Sequence, residues 1–161
     1  MKIWKLDDYI DTDAIMPAKY LNDNDPTNYA KHCLEDTIPH FGNKVKKGDV
    51  LIAGKYFGYG SSRESAPNAI KILGIQAVFA LSFGRIFFRN SINIGLPVIQ
   101  VNEIVLEKLM EAKEIYIEED FSEFHIFDGK QRETFSTNYT SFVRRLLQDG
   151  GLLNYLQKEQ I

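Results

Sequence analysis

Residues 50–73 read VLIAGKYFGYGSSRESAPNAIKIL, and this stretch decides the fold class. It begins with four apolar residues, which predict a short buried strand at 50–53. A glycine-rich loop follows, and Pro67 then occupies a position typical of the first turn of a helix. The helix is expected to end at Leu73, because Gly74 stands where a left-handed C-terminal residue is favoured. The stretch therefore predicts a strand, a loop and a helix in succession.

The segments that follow repeat this alternation. Residues 76–82 predict a strand, 86–94 a helix closed by Gly95, and 97–101 another strand. Alternating strands and helices favour parallel pairing through right-handed crossovers. Further elements are predicted towards both ends of the chain: strands at 2–6, 115–117 and 123–127, helices at 26–34 and 105–112, and a helical segment at 141–156 that Gly150 and Gly151 interrupt. The chain is therefore interpreted as a single mixed α/β domain spanning residues 1–161.

The composition is that of an ordinary soluble globular protein. Of the 161 residues, 44% are hydrophobic and 25% are charged, and the formal net charge is −3. Such a charge argues against a nucleic-acid partner, which would need a basic surface. We expect no membrane association, because no apolar stretch reaches the roughly 20 residues that cross a bilayer. The first residues show no secretory signal, so a cytoplasmic location is expected.

Cysteine and histidine are scarce. Cys33 is the single cysteine, which excludes an internal disulfide and a metal centre made of cysteines alone. His32, His40 and His125 do not follow the spacing of metal ligands. We therefore expect no metal site within this chain, and the single thiol agrees with a reducing compartment.

The loop between the first predicted strand and helix of residues 50–73 carries the side chains best suited to chemistry. Gly58 and Gly60 allow turns that are closed to other residues and let a ligand approach the backbone. Loops at the carboxyl ends of strands are where open α/β sheets bind ligands. Ser61 and Ser62 offer hydroxyl groups beside Arg63, whose planar guanidinium suits a carboxylate. The loop is therefore predicted to bind an anion.

The sequence of the loop allows two other interpretations. Its two glycines partly match the dinucleotide-binding fingerprint, but Arg63 replaces the third glycine and no acidic residue stands about 20 positions later. The other alternative is a plain turn, in which the serines cap the next helix and Arg63 pairs with Glu64 or Asp49. The mismatch makes the nucleotide site the weaker of the two.

Three stretches together resemble a known family: DTDAIMP at 11–17, GSSRE at 60–64 and SFGRIFFRN at 82–90. In this order and spacing they resemble the small subunit of 3-isopropylmalate dehydratase and its relatives in the aconitase superfamily. The similarity extends over nearly the whole chain. It implies an α/β fold, the swivelling β/β/α three-layer domain with a mixed sheet that forms the mobile last domain of aconitase.

The resemblance also implies an activity and roles for individual residues. Family members are hydro-lyases that dehydrate and rehydrate a hydroxy-dicarboxylate at a [4Fe–4S] cluster. By the family pattern, Ser61 is the base that removes a proton from carbon, and Asp13 lies at the cleft, where it orients a histidine or water of the other chain. The same pattern implies that Gly60, Ser62 and Arg63 hold a substrate carboxylate.

The cysteine count bears on the cofactor that the resemblance implies. A [4Fe–4S] cluster needs several cysteine thiolates, and this chain has one. If the reaction is iron–sulfur hydration, the cluster must lie on a separate large subunit. The expected partners are therefore that subunit, in a heterodimer, and a small hydroxy-dicarboxylate. This chain is expected to be active only in the pair.

The segment after the Asp-Thr-Asp block bears on the substrate. In the family, apolar residues after a Tyr-Leu pair are typical of isopropylmalate-type members, and an arginine there is typical of homoaconitase-type members. Here Tyr20 and Leu21 are followed by Asn22 and Asp23, which matches neither. These four residues are the predicted specificity loop. Its acidic character disfavours a homoaconitate-like tricarboxylate.

The default interpretation is the isomerisation of 2-isopropylmalate to 3-isopropylmalate in leucine biosynthesis. A related dehydratase acting on dimethylmalate, methylmalate (citramalate) or homoaconitate stays open, as does a non-catalytic, carboxylate-binding regulatory domain. The enzyme is favoured over the regulatory domain because Asp13 and the serine pair would be superfluous in a simple binder.

Overall fold

A parallel β-sheet of four strands forms the centre of the protein. The computed structural model describes residues 1–160. The strands β1 (Ile3–Lys5), β2 (Val50–Ala53), β3 (Ala77–Ala80) and β4 (Val98–Gln100) lie in this order, and each pairs in parallel with its neighbour. Every residue of β2 and β3 is buried, as expected for a parallel sheet that is covered on both faces. The predicted parallel pairing is confirmed.

Alternate residues of the central strands point to opposite faces of the sheet and join two separate cores. Leu51 and Val78 pack into the larger core, together with residues of several helices. Ile52 and Phe79 pack into the smaller core, which also contains residues of a second sheet. The parallel sheet is therefore the middle of three layers.

The helices are short, and they cover both faces of the central sheet. Their bounds are α1 (Thr12–Ile15), a 3-10 helix (Ala18–Tyr20), α2 (Pro26–Ala30), α3 (Phe41–Lys44), α4 (Ser65–Ile72), α5 (Arg85–Asn93), α6 (Glu103–Glu111), α7 (Ser141–Gln148) and α8 (Leu152–Glu159). Helices α4, α5 and α7 contribute Ile70, Phe87 and Leu146 to the larger core. Helix α6 contributes Leu109 to the smaller core. None of the helices in residues 1–160 is long and apolar enough to cross a membrane.

The third layer is an antiparallel sheet of β5 (Glu114–Ile117), β6 (Glu123–Phe127) and β7 (Arg132–Ser136). Its inward side chains include Phe124, whose ring centroid lies 5.1 Å from that of Phe79 in the parallel sheet. The sequence pattern does not predict β7. This strand lies at an edge with its residues exposed or half-buried, so it lacks a buried apolar face.

The predicted β/β/α fold is confirmed, with one difference in the sheets. The parallel and antiparallel strands do not combine in one mixed sheet but form two sheets, one in each of two neighbouring layers. The reason is the path of the chain after β4. Helix α6 follows this edge strand and packs on the face of the parallel sheet that borders the smaller core. On the same face, β5 pairs with β6.

The helix predicted at 26–34 is shorter than expected. Asp25 caps it as expected, because its side chain accepts a hydrogen bond from the Thr27 amide, but the helix ends at Ala30. The chain then turns, and Leu34 adopts a left-handed φ of 54°. In this conformation the Leu34 amide donates to the Ile15 carbonyl at 2.9 Å and its side chain is fully buried. Tertiary packing therefore overrides the local helical pattern.

Candidate active site

The glycine-rich loop lies at the carboxyl ends of three parallel strands. It leaves β2 at Ala53, and a bridge between Phe57 and Phe83 holds it beside the chain that follows β3. A second bridge, between Asp11 and Tyr59, holds it beside the chain that follows β1. This is the position at which open parallel sheets bind ligands.

Glycine is required at two points where the loop meets α5. Gly58 has a φ of 74°, and a Cβ atom there would lie 2.3 Å from the Phe87 ring. A Cβ atom on Gly84, which precedes α5, would lie 2.4 Å from the Gly58 carbonyl oxygen. The loop backbone therefore rests directly on the start of α5, and this contact fixes its position relative to the sheet.

Helix α1 presents the Asp-Thr-Asp block to the loop. Asp11 is the N-cap of this helix, and its side chain accepts a hydrogen bond of 2.7 Å from the Ala14 amide. The Thr12 amide donates to the Tyr59 carbonyl at 3.0 Å. Thr12 and Asp13 are thereby held at the start of the helix, beside the loop.

The Ser61 hydroxyl lies 3.0 Å from the Thr12 hydroxyl. Ser61 is exposed whereas Thr12 is buried, so this hydrogen bond joins an accessible group to an inaccessible one. When Thr12 donates, the Ser61 oxygen keeps a lone pair for a substrate proton. Within residues 1–160 the amides of Ser61 and Ser62 make no hydrogen bond, so they can stabilise negative charge on a ligand.

Arg63 joins the loop to α1. Its Nη1 forms an ion pair with the Asp13 carboxylate and lies 3.4 Å from the Met16 carbonyl oxygen. The side chain of Arg63 is 23% exposed and that of Asp13 is 60% exposed, so the pair borders the solvent. The other guanidinium N–H groups have no acceptor in the described part of the chain, which leaves an edge of the guanidinium for a carboxylate.

The plain-turn interpretation of the loop does not fit these contacts. Arg63 pairs with Asp13 and not with Glu64 or Asp49. Asp49 instead accepts a hydrogen bond of 3.0 Å from Trp4 Nε1. The N-cap of α4 is Glu64, without a side-chain capping bond from either serine. The serines and the free edge of the guanidinium therefore remain available to a ligand.

The predicted catalytic and carboxylate-binding residues lie in one place: Asp13, Gly60, Ser61, Ser62 and Arg63. Thr12, which contacts Ser61 directly, is not among the residues that the sequence predicts for the site. A signal for it existed in the Asp-Thr-Asp block. Thr12 is the central residue of this block and carries a hydroxyl group. It directly follows the N-cap Asp11 and directly precedes Asp13, a predicted site residue.

The predicted specificity loop is not joined to this cluster by a hydrogen bond or ion pair within residues 1–160. Leu21, Asn22 and Asp23 are exposed. The Asp23 side chain accepts a hydrogen bond of 2.9 Å from the Asp25 amide, which shapes the turn before α2. The three exposed residues are therefore accessible to a ligand or a partner.

Tyr20, the first residue of that loop, is held in a cluster with three other side chains. Its hydroxyl donates to Glu35 Oε1 at 2.6 Å, and its ring stacks on His32 with centroids 3.7 Å apart. Lys19 Nζ lies 3.2 Å from the same carboxylate oxygen. Burial raises the pKa of the Glu35 carboxyl, but hydrogen bonds from Tyr20, His32 and Lys19 outweigh this and lower the pKa to about 2. The specificity loop is therefore anchored at its start.

The side chains of this protein do not fit an iron–sulfur cluster. Cys33 is fully buried, and burial raises the pKa of its thiol, which disfavours the thiolate that iron requires. Among the residues that the structure describes, no group of three or more His, Cys, Asp or Glu side chains could hold a metal ion.

The sequence and the fold are similar to those of known proteins. Residues 10–103 match the family described as aconitase C-terminal domain. The 3-isopropylmalate dehydratase small subunit of Thermodesulfovibrio yellowstonii is 47% identical over 158 residues, which cover 98% of this chain and 92% of that protein. The protein of the same name from Syntrophus aciditrophicus is 44% identical over 158 residues, with 98% and 95% coverage. A crystal structure of 3-isopropylmalate dehydratase from Methanocaldococcus jannaschii has a TM-score of 0.82 at 42% identity, covering 99% of this chain and 93% of that chain.

Proposed function

This chain belongs to the family of 3-isopropylmalate dehydratase small subunits, and we propose that it supplies one half of the active site of such a hydro-lyase. The substrate is 2-isopropylmalate, which is isomerised to 3-isopropylmalate in leucine biosynthesis. Relatives with this name align with nearly the whole chain. This assignment is therefore favoured over dehydratases for other branched malates and over a non-catalytic regulatory domain.

One observation carries the proposal: a hydroxyl and a guanidinium are held together at the strand ends by contacts with α1. Arg63 and the amides of Ser61 and Ser62 bind a substrate carboxylate. Ser61 then removes a proton from the neighbouring carbon as an alkoxide, which the Thr12 hydrogen bond and the positive charge of Arg63 stabilise. Asp13 holds Arg63 in place and also orients a group of the partner.

We propose that a large subunit carries the [4Fe–4S] cluster and the remainder of the site. The support is the composition of this chain, whose single cysteine is buried, together with the open position of the candidate residues. Ser61 and Ser62 are exposed rather than enclosed in a cleft. Residues 1–161 then act as one swivelling domain that closes over the substrate and excludes water.

A cytoplasmic location and a free small-molecule substrate complete the proposal. The lone thiol of Cys33 suits a reducing compartment. The formal net charge of −3 does not suit a nucleic-acid partner.

Reconstitution with the large subunit tests this function. The purified chain and the cluster-loaded large subunit should together convert 2-isopropylmalate, and neither should do so alone. Ser61→Ala should lower kcat by roughly 10²- to 10⁴-fold while leaving the affinity for the large subunit unchanged. Ser141→Ala, which alters an exposed serine at the start of α7, is the matched control. Turnover by this chain alone, or wild-type kcat in the Ser61 variant, would refute the proposal.

A further inference from the structure

Three tyrosines form an exposed aromatic patch beside the candidate active site. Tyr9 is 57% exposed, Tyr56 52% and Tyr59 39%. The rings of Tyr9 and Tyr56 stack with centroids 5.6 Å apart, and Tyr59 meets Tyr9 edge-on at 6.4 Å. Tyrosine is enriched at the centres of protein interfaces, where its ring buries a large area. We call these three residues the tyrosine patch.

The backbone holds two members of the patch in a costly conformation. Tyr9 has a φ of 60° and Tyr56 a φ of 55°, in the left-handed region that bulky residues avoid. The Tyr9 amide donates to the Lys55 carbonyl at 2.7 Å, and the Tyr56 amide donates to Ser82 Oγ at 2.8 Å. Glycine or asparagine would adopt these angles at lower cost, so folding alone does not call for tyrosine at either position.

The patch is continuous with the residues proposed for catalysis. The Gly58 amide donates to the Ile10 carbonyl at 2.7 Å, which ties the two tyrosine-bearing segments together. The Tyr59 carbonyl accepts from the amide of Thr12, whose hydroxyl contacts Ser61. A protein that covers Ser61 to complete the site therefore also meets the patch.

An open groove borders the patch. Its volume is about 1440 Å³, and Tyr9 and Tyr56 are among the residues that line it. Ile104 at the start of α6 also lines the groove, although 67% of its surface is exposed to water. The groove therefore adds exposed apolar surface to the tyrosine patch.

We propose that the tyrosine patch and this groove are the surface on which the large subunit docks, with Tyr9 and Tyr56 at the centre of the contact. The inference rests on the proposed function, which requires a second chain to complete the site. The occupant is the large subunit and not a second copy of this chain. A second copy seated here would cover Ser61 and bring only a buried Cys33, so it could not supply the missing half.

Asparagine substitutions separate docking from folding. Asparagine tolerates the left-handed backbone, so Tyr9→Asn combined with Tyr56→Asn removes both rings without adding strain. The melting temperature should stay unchanged or rise. Titration of the cluster-loaded large subunit, followed by biolayer interferometry and by recovered activity, should show a dissociation constant about thirtyfold higher or more. At saturating small subunit, kcat and KM should equal the wild-type values.

Two further variants sharpen the comparison. Ile104→Gln, in the bordering groove, should also weaken binding, but less than the double substitution. Tyr116→Thr removes a tyrosine that is 50% exposed on the outward face of β5, and it should leave the dissociation constant unchanged. The single variant Tyr56→Asn replaces the double variant if the latter loses its thermal unfolding transition.

The remaining outcomes of these experiments contradict either the docking inference or the proposed function on which it rests. An unchanged dissociation constant in the asparagine variants overturns the inference. A change confined to kcat or KM also does so, because it places the tyrosines at the substrate. Loss of a homodimer in sedimentation, without weaker binding to the large subunit, assigns the patch to a second copy. Failure of the wild-type chain to bind the large subunit instead refutes the proposed function, and the wild-type titration identifies that case first.

Discussion

The hydroxyl oxygens of Thr12 and Ser61 lie 3.0 Å apart, although 49 positions separate the two residues in the chain. They meet because the Thr12 amide binds the Tyr59 carbonyl, which aligns α1 with the glycine-rich loop. A buried threonine thereby positions an exposed serine. The position of Ser61, the proposed base, therefore depends on a residue from a different segment of the chain.

Removal of the Thr12 hydroxyl is expected to lower kcat about fivefold with little change in KM. Thr12→Val keeps the shape of the side chain and removes a hydrogen bond that contributes about 1 kcal/mol. Steady-state kinetics of the reconstituted enzyme measure the effect. Thr12→Ser retains the hydroxyl and is the control. A valine variant with wild-type kcat would show that Ser61 does not depend on this contact.

Arg63→Lys is expected to raise KM by about one to two orders of magnitude. Lysine keeps the charge but loses the planar fork that binds a carboxylate and Asp13 together. KM for 2-isopropylmalate is the measurement. Arg145→Lys, in a surface ion pair with Glu159, is the matched control and should have no effect. Equal KM values for the Arg63 variant and the wild type would argue that another group holds the carboxylate.

Glu35→Gln is expected to destabilise the protein at neutral pH by about 1–2 kcal/mol, a value reduced for solvent screening. The pKa of Glu35 falls from 4.5 to about 2 on folding, so its stabilising effect is present above pH 4.5 and is lost as the pH falls towards 2. Urea unfolding at pH 7 and pH 3 measures the difference between variant and wild type.

The difference in the free energy of unfolding between Glu35→Gln and the wild type should therefore be smaller at pH 3 than at pH 7. Glu107→Gln, on the exposed face of α6, controls for the loss of a carboxylate and should change stability little at either pH. A Glu35 difference that is the same at both pH values would contradict the assigned ionisation.

Gly58→Ala is expected to destabilise the protein by about 3 kcal/mol or more, because overpacking adds to an unfavourable backbone angle. The new Cβ atom would lie 2.3 Å from the Phe87 ring. Gly48→Ala is the matched control: its φ of 90° is also left-handed, but no atom of residues 1–160 lies within 4 Å of its added Cβ. That variant should lose only about 1 kcal/mol. Denaturant unfolding measures both, and equal losses would show that the contact with α5 is not tight.

Much of the secondary structure follows from local patterns. The apolar run at 50–53 predicts β2, and Gly74 and Gly95 stand at left-handed positions directly after predicted helices. The interruption of the last helical segment at Gly150 is likewise visible in the sequence. These features can be predicted because each has a local sequence pattern. A strand buried on both faces is a continuous apolar run, and a left-handed helix end is a glycine directly after the last helical residue.

Other elements do not follow from local patterns. Strand β7 has no buried face, so its residues carry no strong alternation. Helix α2 ends at Ala30 because Leu34 turns into the core and its amide binds the carbonyl of Ile15, a residue from another element. The division of the strands into two sheets depends on the face to which α6 carries the chain. Each of these outcomes is decided by packing between distant segments.

The sequence by itself determined the parallel α/β core. Its motifs and its single cysteine are the basis for the proposals that the loop of Gly60 to Arg63 is the reactive site and that a partner carries the cluster. Only the tertiary structure decided that Arg63 pairs with Asp13 and that Thr12 supports Ser61. The reason is physical. Composition and local spacing can be read from the linear sequence. The contact between α1 and the loop depends instead on where three parallel strands end in the folded sheet.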